Sequence, residues 1–191
     1  GADGATAEAL EEFAVLRSLP NMTVIAPCDA LEAKKAAIAS ADYPGPVYLR
    51  LGRAPTPLLT KESDPFRIGQ ATVLRDGDDV TIVACGVMVA HALHAAEQLA
   101  REDVHARVIN LHTIKPIDRA KLIAAAKETG AIVTAEEHTV VGGLGSAVAE
   151  VLVQTHPVPM RFVGVNDRFG TSGDPAELLK AFHLMPEDIV K

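Results

Sequence analysis

The stretch that most restricts the fold is Ala131 to Leu152, a short apolar run followed by glycines at 142, 143 and 145 and then an amphipathic segment. An apolar run this short, bounded by turn signals, reads as a parallel strand buried on both faces. The glycines then turn the chain into a helix. A strand, a tight turn and a helix in that order form the repeating unit of an open α/β sheet. Ligands and partner chains dock at the carboxyl edge of such sheets. Glu136, Glu137 and His138 are expected just past that edge.

The same grammar recurs along the chain. Residues 7–18 carry Leu10, Phe13, Ala14 and Leu16 at helical spacing, and Pro20 closes the helix. Met22 to Ala26 reads as a strand. Asp29 caps a helix expected to bury Ala30, Leu31, Ala37 and Ile38. Val47 to Leu51 is a further strand, ending at Gly52 and Arg53. This first unit of about 53 residues is too small to cover both faces of a parallel sheet, so its sheet is expected to be completed from elsewhere. Residues 54–66, rich in proline, read as a linker.

The second unit, residues 67–191, alternates strand and helix again. Ala71 to Leu74 and Val80 to Ala84 are expected to form a hairpin about Asp76-Gly77, with the first strand antiparallel to the rest. A helix over 89–100 presents Val89, Ala92, Leu93, Ala96 and Leu99 on one side. Strand 106–111 follows, then a helix started by Pro116 and Asp118 and closed by Gly130. Strand 160–165 and a helix capped by Asp174 complete about five strands, a mostly parallel sheet with helices on both faces.

Composition narrows the function classes. With 191 residues, 48% hydrophobic, the chain has ample material for a core. A net charge of −7 offers no footprint for nucleic acid or an acidic membrane. No apolar run nears the roughly 20 residues of a membrane span, and no signal peptide is read at the start. Cys28 and Cys85 form neither a disulfide framework nor a metal pattern, so a reducing cytoplasm is the default. The opening Gly1-Ala2-Asp3-Gly4 reads as a loop inside a longer polypeptide.

Candidate chemistry is sparse. Gly142-Gly143-Leu144-Gly145 fails as a dinucleotide fingerprint, because Val148 stands where a small residue is needed, and reads instead as a tight turn into a helix. Glu136, Glu137 and His138 suggest acid–base work. Neighbouring residues point in different directions, however, and the cluster is read as a solvated or interface-forming strand end. His91 and His94 share a helix face without a third metal ligand. His112 and Lys115 are expected in a solvated loop. Ser146 and Ser172 lack a nucleophile-elbow context. Arg53, ending a strand, offers a guanidinium fork for a carboxylate or phosphate, and Asp3, in a glycine-flanked loop, offers an acceptor for hydroxyls.

Several stretches go further together. Gly1-Ala2-Asp3-Gly4-Ala5-Thr6, Leu16 to Val24, Pro27-Cys28-Asp29-Ala30 and Gly45 to Arg53 resemble the later part of the pyrimidine-binding domain of transketolases. Val108-Ile109-Asn110, Lys115 to Asp118, Glu136-Glu137-His138 and Gly142 to Gly145 resemble the transketolase C-terminal domain, most of all that of split or short bacterial and archaeal enzymes. The resemblance implies an α/β thiamine-diphosphate pyrimidine-binding domain, in part, over residues 1–53. It also implies transfer of a two-carbon ketol unit between sugar phosphates. By matching motifs, Asp3 corresponds to the aspartate that recognises a substrate hydroxyl and Arg53 to the arginine that holds the sugar phosphate.

Thiamine diphosphate and its divalent cation (Mg or Ca) are expected to be bound mainly by regions outside this chain, as is the glutamate that activates the cofactor. The implied partners are the remaining amino-terminal portion or subunit, within a homo- or hetero-oligomer, and sugar-phosphate substrates. The chain alone is expected to be inactive. One departure stands out: Ala7 occupies the position where the family usually places a substrate-contacting histidine. The alternatives are a non-catalytic assembly or regulatory module, part of a 2-oxoacid dehydrogenase beta subunit, or part of a deoxyxylulose phosphate synthase.

Overall fold

The computed structural model describes residues 1–191. In chain order the elements are α1 (Glu12–Ser18), β1 (Thr23–Ile25), α2 (Ala30–Ala41), β2 (Val47–Leu49), β3 (Thr72–Arg75), β4 (Val80–Ala84), α3 (Met88–Ala100), β5 (Ala106–Asn110), β6 (Thr113–Lys115), α4 (Arg119–Thr129), β7 (Ile132–Thr139), α5 (Leu144–Leu152), β8 (Met160–Val165), α6 (Pro175–Ala181) and α7 (Pro186–Val190). No helix is long and apolar enough to cross a membrane.

The larger sheet runs β3-β5-β4-β7-β8, with the last four strands parallel and β3 antiparallel to β5. β4 is apolar on both faces, as a strand covered on both sides is expected to be. On β4, Val83 faces a core built with α4 and α5, whereas Ile82 and Ala84 face one built with α3 and α7. The expected fold class, an α/β sheet with helices on both faces, is what is found. Local signals also hold. Asp118 caps α4 by accepting from Lys121 N at 3.0 Å, and Gly130 ends that helix in the left-handed region at φ 69°.

The expected 71–84 hairpin does not form. β3 pairs with β5, not with β4, so β3 takes the outer edge and the connection after it passes the start of β5. Asp79 anchors that crossing, its N–H bonding to His105 O at 3.2 Å and its carboxylate accepting from His105 N at 2.6 Å. A Cβ on Gly77 would overlap the backbone of His105 and lie 2.5 Å from the carbonyl carbon of Ala106. Glycine at 77 therefore permits a close crossing of backbones rather than a hairpin turn.

The first unit does find a strand elsewhere. A small sheet runs β2-β1-β6, in which β1 pairs parallel with β2 and antiparallel with β6, Val24 opposite Lys115 and Ile25 opposite Thr113. Phe13, Val24 and Ala26 pack into the α4–α5 side of the core, and Cys28 into the α3 side. The two units share one interior. Residues 54–66 contain no helix or strand, but they are held against α2: Asp29 accepts from Leu59 N and Thr60 N at 2.7 and 2.6 Å, and Lys34 pairs with Glu62 at 3.0 Å.

Three expected boundaries or faces shift. α1 begins at Glu12 rather than at residue 7, because the backbone before it is bonded elsewhere. Leu10 O accepts from Thr139 N at 2.8 Å and Ala9 O from the Arg50 guanidinium at 3.3 Å. α2 buries Glu32 and Ala36, leaving Ala30, Ala37 and Ile38 exposed and Leu31 half-buried. Turning Glu32 inward to its partners rotates the expected apolar face outward, since those residues lie on the other side of a 3.6-residue turn. β7 runs four residues past Ala135, so Glu136, Glu137 and His138 lie within the strand.

Because Gly77 lies against backbone rather than a flexible side chain, Gly77→Ala is expected to destabilise the fold by more than about 1 kcal/mol. Urea unfolding of the two chains measures this, with Gly142→Ala unsuited as a control because its added Cβ would lie 2.7 Å from that of Ala14.

Candidate functional site

Charge concentrates in a seam of buried contacts between the units and in one exposed pair. The seam follows from the two-residue period of β7, which puts Glu136 and His138 on one face and Glu137 on the other. Both Glu136 and His138 are fully buried. Glu136 lies at the start of α5, where its two carboxyl oxygens accept from Leu144 N at 2.6 Å and Gly145 N at 2.9 Å. Backbone N–H groups at a helix start form an anion site, and here the occupant is the chain's own side chain. Gly142 N is also occupied, donating to Ser146 Oγ at 2.9 Å.

Burial pushes the Glu136 carboxyl up to about 7, against the pull of those N–H donors and of Arg17 and Arg50. Burial likewise pushes His138 down to about 4. Phe13 N donates to Nε2 of His138 at 3.0 Å, so that nitrogen carries a lone pair. The proton is on Nδ1, which donates to Thr139 O at 2.7 Å. His138 is thus a neutral imidazole in one tautomer, stacked on Phe13 with ring centroids 4.6 Å apart. A Cβ on Gly143 would lie 2.7 Å from Nδ1 of that ring, which excludes any side chain there.

Arginines tie the first unit to this strand. Arg50 pairs with Glu137 at 3.2 Å and Glu12 at 3.7 Å and lies 5.4 Å from the Phe13 ring centroid. Burial opposes its charge, but Glu137 and Glu12 outweigh that and hold it above its ordinary value. Tyr48 donates to Glu12 at 2.9 Å. Arg17 donates to Gly142 O at 2.6 Å and pairs with Glu150 at 2.7 Å. A second buried cluster surrounds Glu32, which accepts from Cys28 N at 2.7 Å and from the Asn110 amide at 2.8 Å.

Residues 136–138, expected as a solvated or interface-forming strand end, are not a solvated end; they form an interface between the units of one chain. His112 is also buried rather than loop-solvated, held by Thr113 at 2.9 Å and against the Phe66 ring. Lys115 donates to Arg17 O and Leu19 O at the end of α1, at 2.9 and 2.6 Å. Ser146 serves the turn, accepting from Gly142 N at 2.9 Å and donating to Val140 O at 3.2 Å. Cys28 and Cys85 are free and buried. His91 is half-buried and His94 exposed on α3, and no three His, Cys, Asp or Glu side chains cluster as a cation would need.

Asp3 and Arg53, fifty residues apart in sequence, meet as an ion pair. Both remain open, with 52% and 79% of their side-chain surfaces exposed. Ala7 is exposed too. Sequence reasoning missed Arg17, Arg50, Glu12 and Glu32 as organising charges. The usable signal was a charged residue in the middle of an otherwise apolar helix or strand, which must either find a partner or face water.

The family model described as "Transketolase, C-terminal domain" matches residues 69–189, and "Transketolase, pyrimidine binding domain" matches residues 1–57. The chain belongs to the transketolase family. Among its relatives, a 6-deoxy-6-sulfo-D-fructose transketolase subunit of Clostridium sp. (strain MSTE9) is 45% identical over 99% of this chain and 59% of its own length. An apulose-4-phosphate transketolase subunit of Phocaeicola vulgatus is 42% identical over all of this chain and 61% of its own. A split gene transketolase, solved as an inactive β4 tetramer, superposes with a TM-score of 0.91 at 47% identity, covering 97% of this chain and 60% of that one. The chain thus spans about three fifths of the transketolase subunits it matches. The family implies thiamine diphosphate, but the residues present do not fit it. The N–H groups at the helix start after the glycine turn are taken by Glu136, and no three His, Cys, Asp or Glu side chains gather to hold the cation.

The seam makes a linked pH prediction. The raised pKa of Glu136 contributes stability below about 4.5 that is lost as pH rises to about 7. The depressed pKa of His138 contributes stability above 6.5 that is lost as pH falls towards about 4. Between those limits each state holds one proton, on His138 unfolded and on Glu136 folded, so the pair adds no slope. Glu136→Gln leaves only the histidine. Its stability is expected to fall by about 2 kcal/mol more than that of the parent between pH 7 and pH 5. Denaturant unfolding at the two pH values checks this, and parallel losses in both proteins would contradict it.

Proposed function

We propose that this chain forms the substrate-facing, assembly-competent part of a transketolase that transfers a two-carbon ketol unit between sugar phosphates. The observation that supports this most is the meeting of Asp3 and Arg53, a hydrogen-bond acceptor and a guanidinium fork, at an open edge of a transketolase fold. Residues 1–53 belong to the pyrimidine-binding domain, 54–66 connect, and 67–191 form the C-terminal domain.

In this reading Arg53 grips the phosphate of the sugar through paired N–H donors, and Asp3 accepts from a substrate hydroxyl. The resting ion pair opposes neither role. An exposed pair is worth only about 0–1 kcal/mol, so a phosphate can displace Asp3 from Arg53 at little cost. The carbanion chemistry belongs to thiamine diphosphate, which with a divalent cation (Mg or Ca) is held by an amino-terminal portion or subunit. The Glu136–His138 seam plays no part in proton transfer here, since both groups are sealed from solvent and bonded to backbone. Its role is to hold the substrate-facing unit on the C-terminal domain.

Ala7 leaves out an imidazole donor beside the substrate, which suits a donor sugar other than the commonest one. Relatives named for 6-deoxy-6-sulfo-D-fructose and apulose 4-phosphate support a varied choice of anionic ketose. The inactive tetramer of a related split-gene transketolase supports the need for a partner. A cytoplasmic site of action and an oligomeric holoenzyme complete the proposal.

The purified chain is expected to show no ketol transfer, and to gain it when the amino-terminal portion, thiamine diphosphate and Mg²⁺ are supplied. In the assembled enzyme Arg53→Ala is expected to raise KM for a ketose phosphate at least about tenfold, the loss of a charge-assisted phosphate contact. Turnover by the unaided chain, or an unchanged KM in Arg53→Ala, would overturn the reading. A 2-oxoacid accepted in place of the sugars would redirect it to a dehydrogenase component.

A further inference from the structure

The Asp3 turn has a support that neither the family match nor the ion pair explains. Gly4 is buried although Ala2, Asp3, Ala5 and Thr6 around it are exposed. What covers it is the loop between β8 and α6. A Cβ on Gly4 would lie 2.5 Å from Ser172 Oγ, and its φ of 78° is one that glycine adopts freely. Two residues earlier in that loop, Gly170 lies under Glu8, where a Cβ would overlap the Glu8 carboxylate and come within 3.2 Å of its Cβ. A third contact runs between backbones, with Gly173 N donating to Gly1 O at 3.1 Å. The turn closes on itself through Ala7 N and Glu8 N, which both donate to Gly4 O, at 3.0 and 3.1 Å.

The loop beneath is in turn fastened to the C-terminal domain on both sides. Arg168 donates to Ala181 O at 2.7 Å and lies 4.0 Å from the ring centroid of the buried Phe182. At the other end Asp174 caps α6, accepting from Ala176 N at 2.9 Å. A chain of contacts therefore runs from the core of the C-terminal domain through residues 168–174 to Gly4, one residue from Asp3.

We propose that Gly170 and Ser172 are positioning residues for Asp3. The C-terminal domain thereby sets how tightly the enzyme recognises a hydroxyl of its sugar substrate. This inference rests on the reading of Asp3 as a substrate contact. The absence of a side chain at Gly170 and the small one at Ser172 let the turn sit close enough to hold Asp3 beside Arg53, and a larger residue lifts it away. The second domain then selects substrate in addition to assembling the enzyme.

The test uses the assembled two-part enzyme with a ketose phosphate donor, comparing Ser172→Leu, Asp3→Ala and the double variant. Ser172→Leu is expected to raise KM about tenfold with kcat within about threefold. In the Asp3→Ala background it is expected to add less than about twofold, because both changes act through one contact. Gly170→Ala, which presses on Glu8 instead, is expected to shift KM in the same direction and serves if Ser172→Leu does not fold. In the chain by itself, Ser172→Leu is expected to speed hydrogen exchange at the Ala7 and Glu8 amides about tenfold.

A fall in kcat at constant KM would overturn the inference, as would effects of Ser172→Leu and Asp3→Ala that simply multiply. If Asp3→Ala raises KM while both loop variants leave it unchanged, only the positioning role fails. If Asp3→Ala itself leaves KM unchanged, the substrate role of Asp3 fails and the positioning role with it.

Discussion

The structure depends on a buried carboxyl group being satisfied by a helix start. Glu136 lies in the interior of the molecule, where an unpartnered carboxyl is not tolerated. Its two oxygens close the first turn of α5. That bond holds β7 to the glycine turn, presents the carbonyls of Gly142 and Gly143 to Arg17, and leaves the adjacent His138 to receive Phe13. Remove the carboxyl group and three attachments of the amino-terminal unit lose their common reference. The pair's opposed titrations keep this arrangement indifferent to pH over the range in which either group alone would tilt it.

The two units are joined by polar contacts of a particular kind. Many of the bonds across the seam run from a side chain of one unit to the backbone of the other: Arg17 to Gly142, Lys115 to Arg17 and Leu19, and Phe13 N to the ring of His138. Backbone partners fix position without needing a matching side chain. Asn110 and Glu32, and Arg50 and Glu137, add contacts between side chains. The strand β6 joins the units in regular form, completing a three-stranded sheet with β1 and β2. What belongs to the pyrimidine-binding family model is thus structurally continuous with what belongs to the C-terminal one. The exposed face of α2, with Ile38 63% exposed, remains an apolar surface of the first unit that this chain does not cover.

Asp3 and Arg53 illustrate why a site of this sort reads poorly from spacing and well from structure. In sequence they are a loop aspartate and a strand-end arginine, each of a kind usually found on ordinary surfaces. β2 stops at Leu49, short of the expected strand end, so their pairing depends on the bend after it carrying Arg53 to where the amino-terminal turn rests on residues 170–173, three segments distant from one another along the chain. The resemblance pointed at both residues, but only the fold brings the turn and the Arg53 bend to one place.

The alternation of strand and helix, the caps at Asp29, Asp118 and Asp174, the stop at Gly130 and the five strands of the main sheet were all legible in the order of residues. These are local: each rests on periodicity or on one side chain reaching a backbone group within a few residues. The order of the strands, the strand β6, the direction in which α2 faces, and the burial of Glu136, His138, His112 and Glu32 emerge only when the chain is folded. For His138 and Glu32 the deciding partners, Phe13 and Asn110, lie scores of residues away, and even Glu136 is met by N–H groups beyond the reach of one strand or turn. A polar side chain is read as solvated until its distant donor is known, and a strand's neighbour is chosen by the crossover that packs best, which no local window contains.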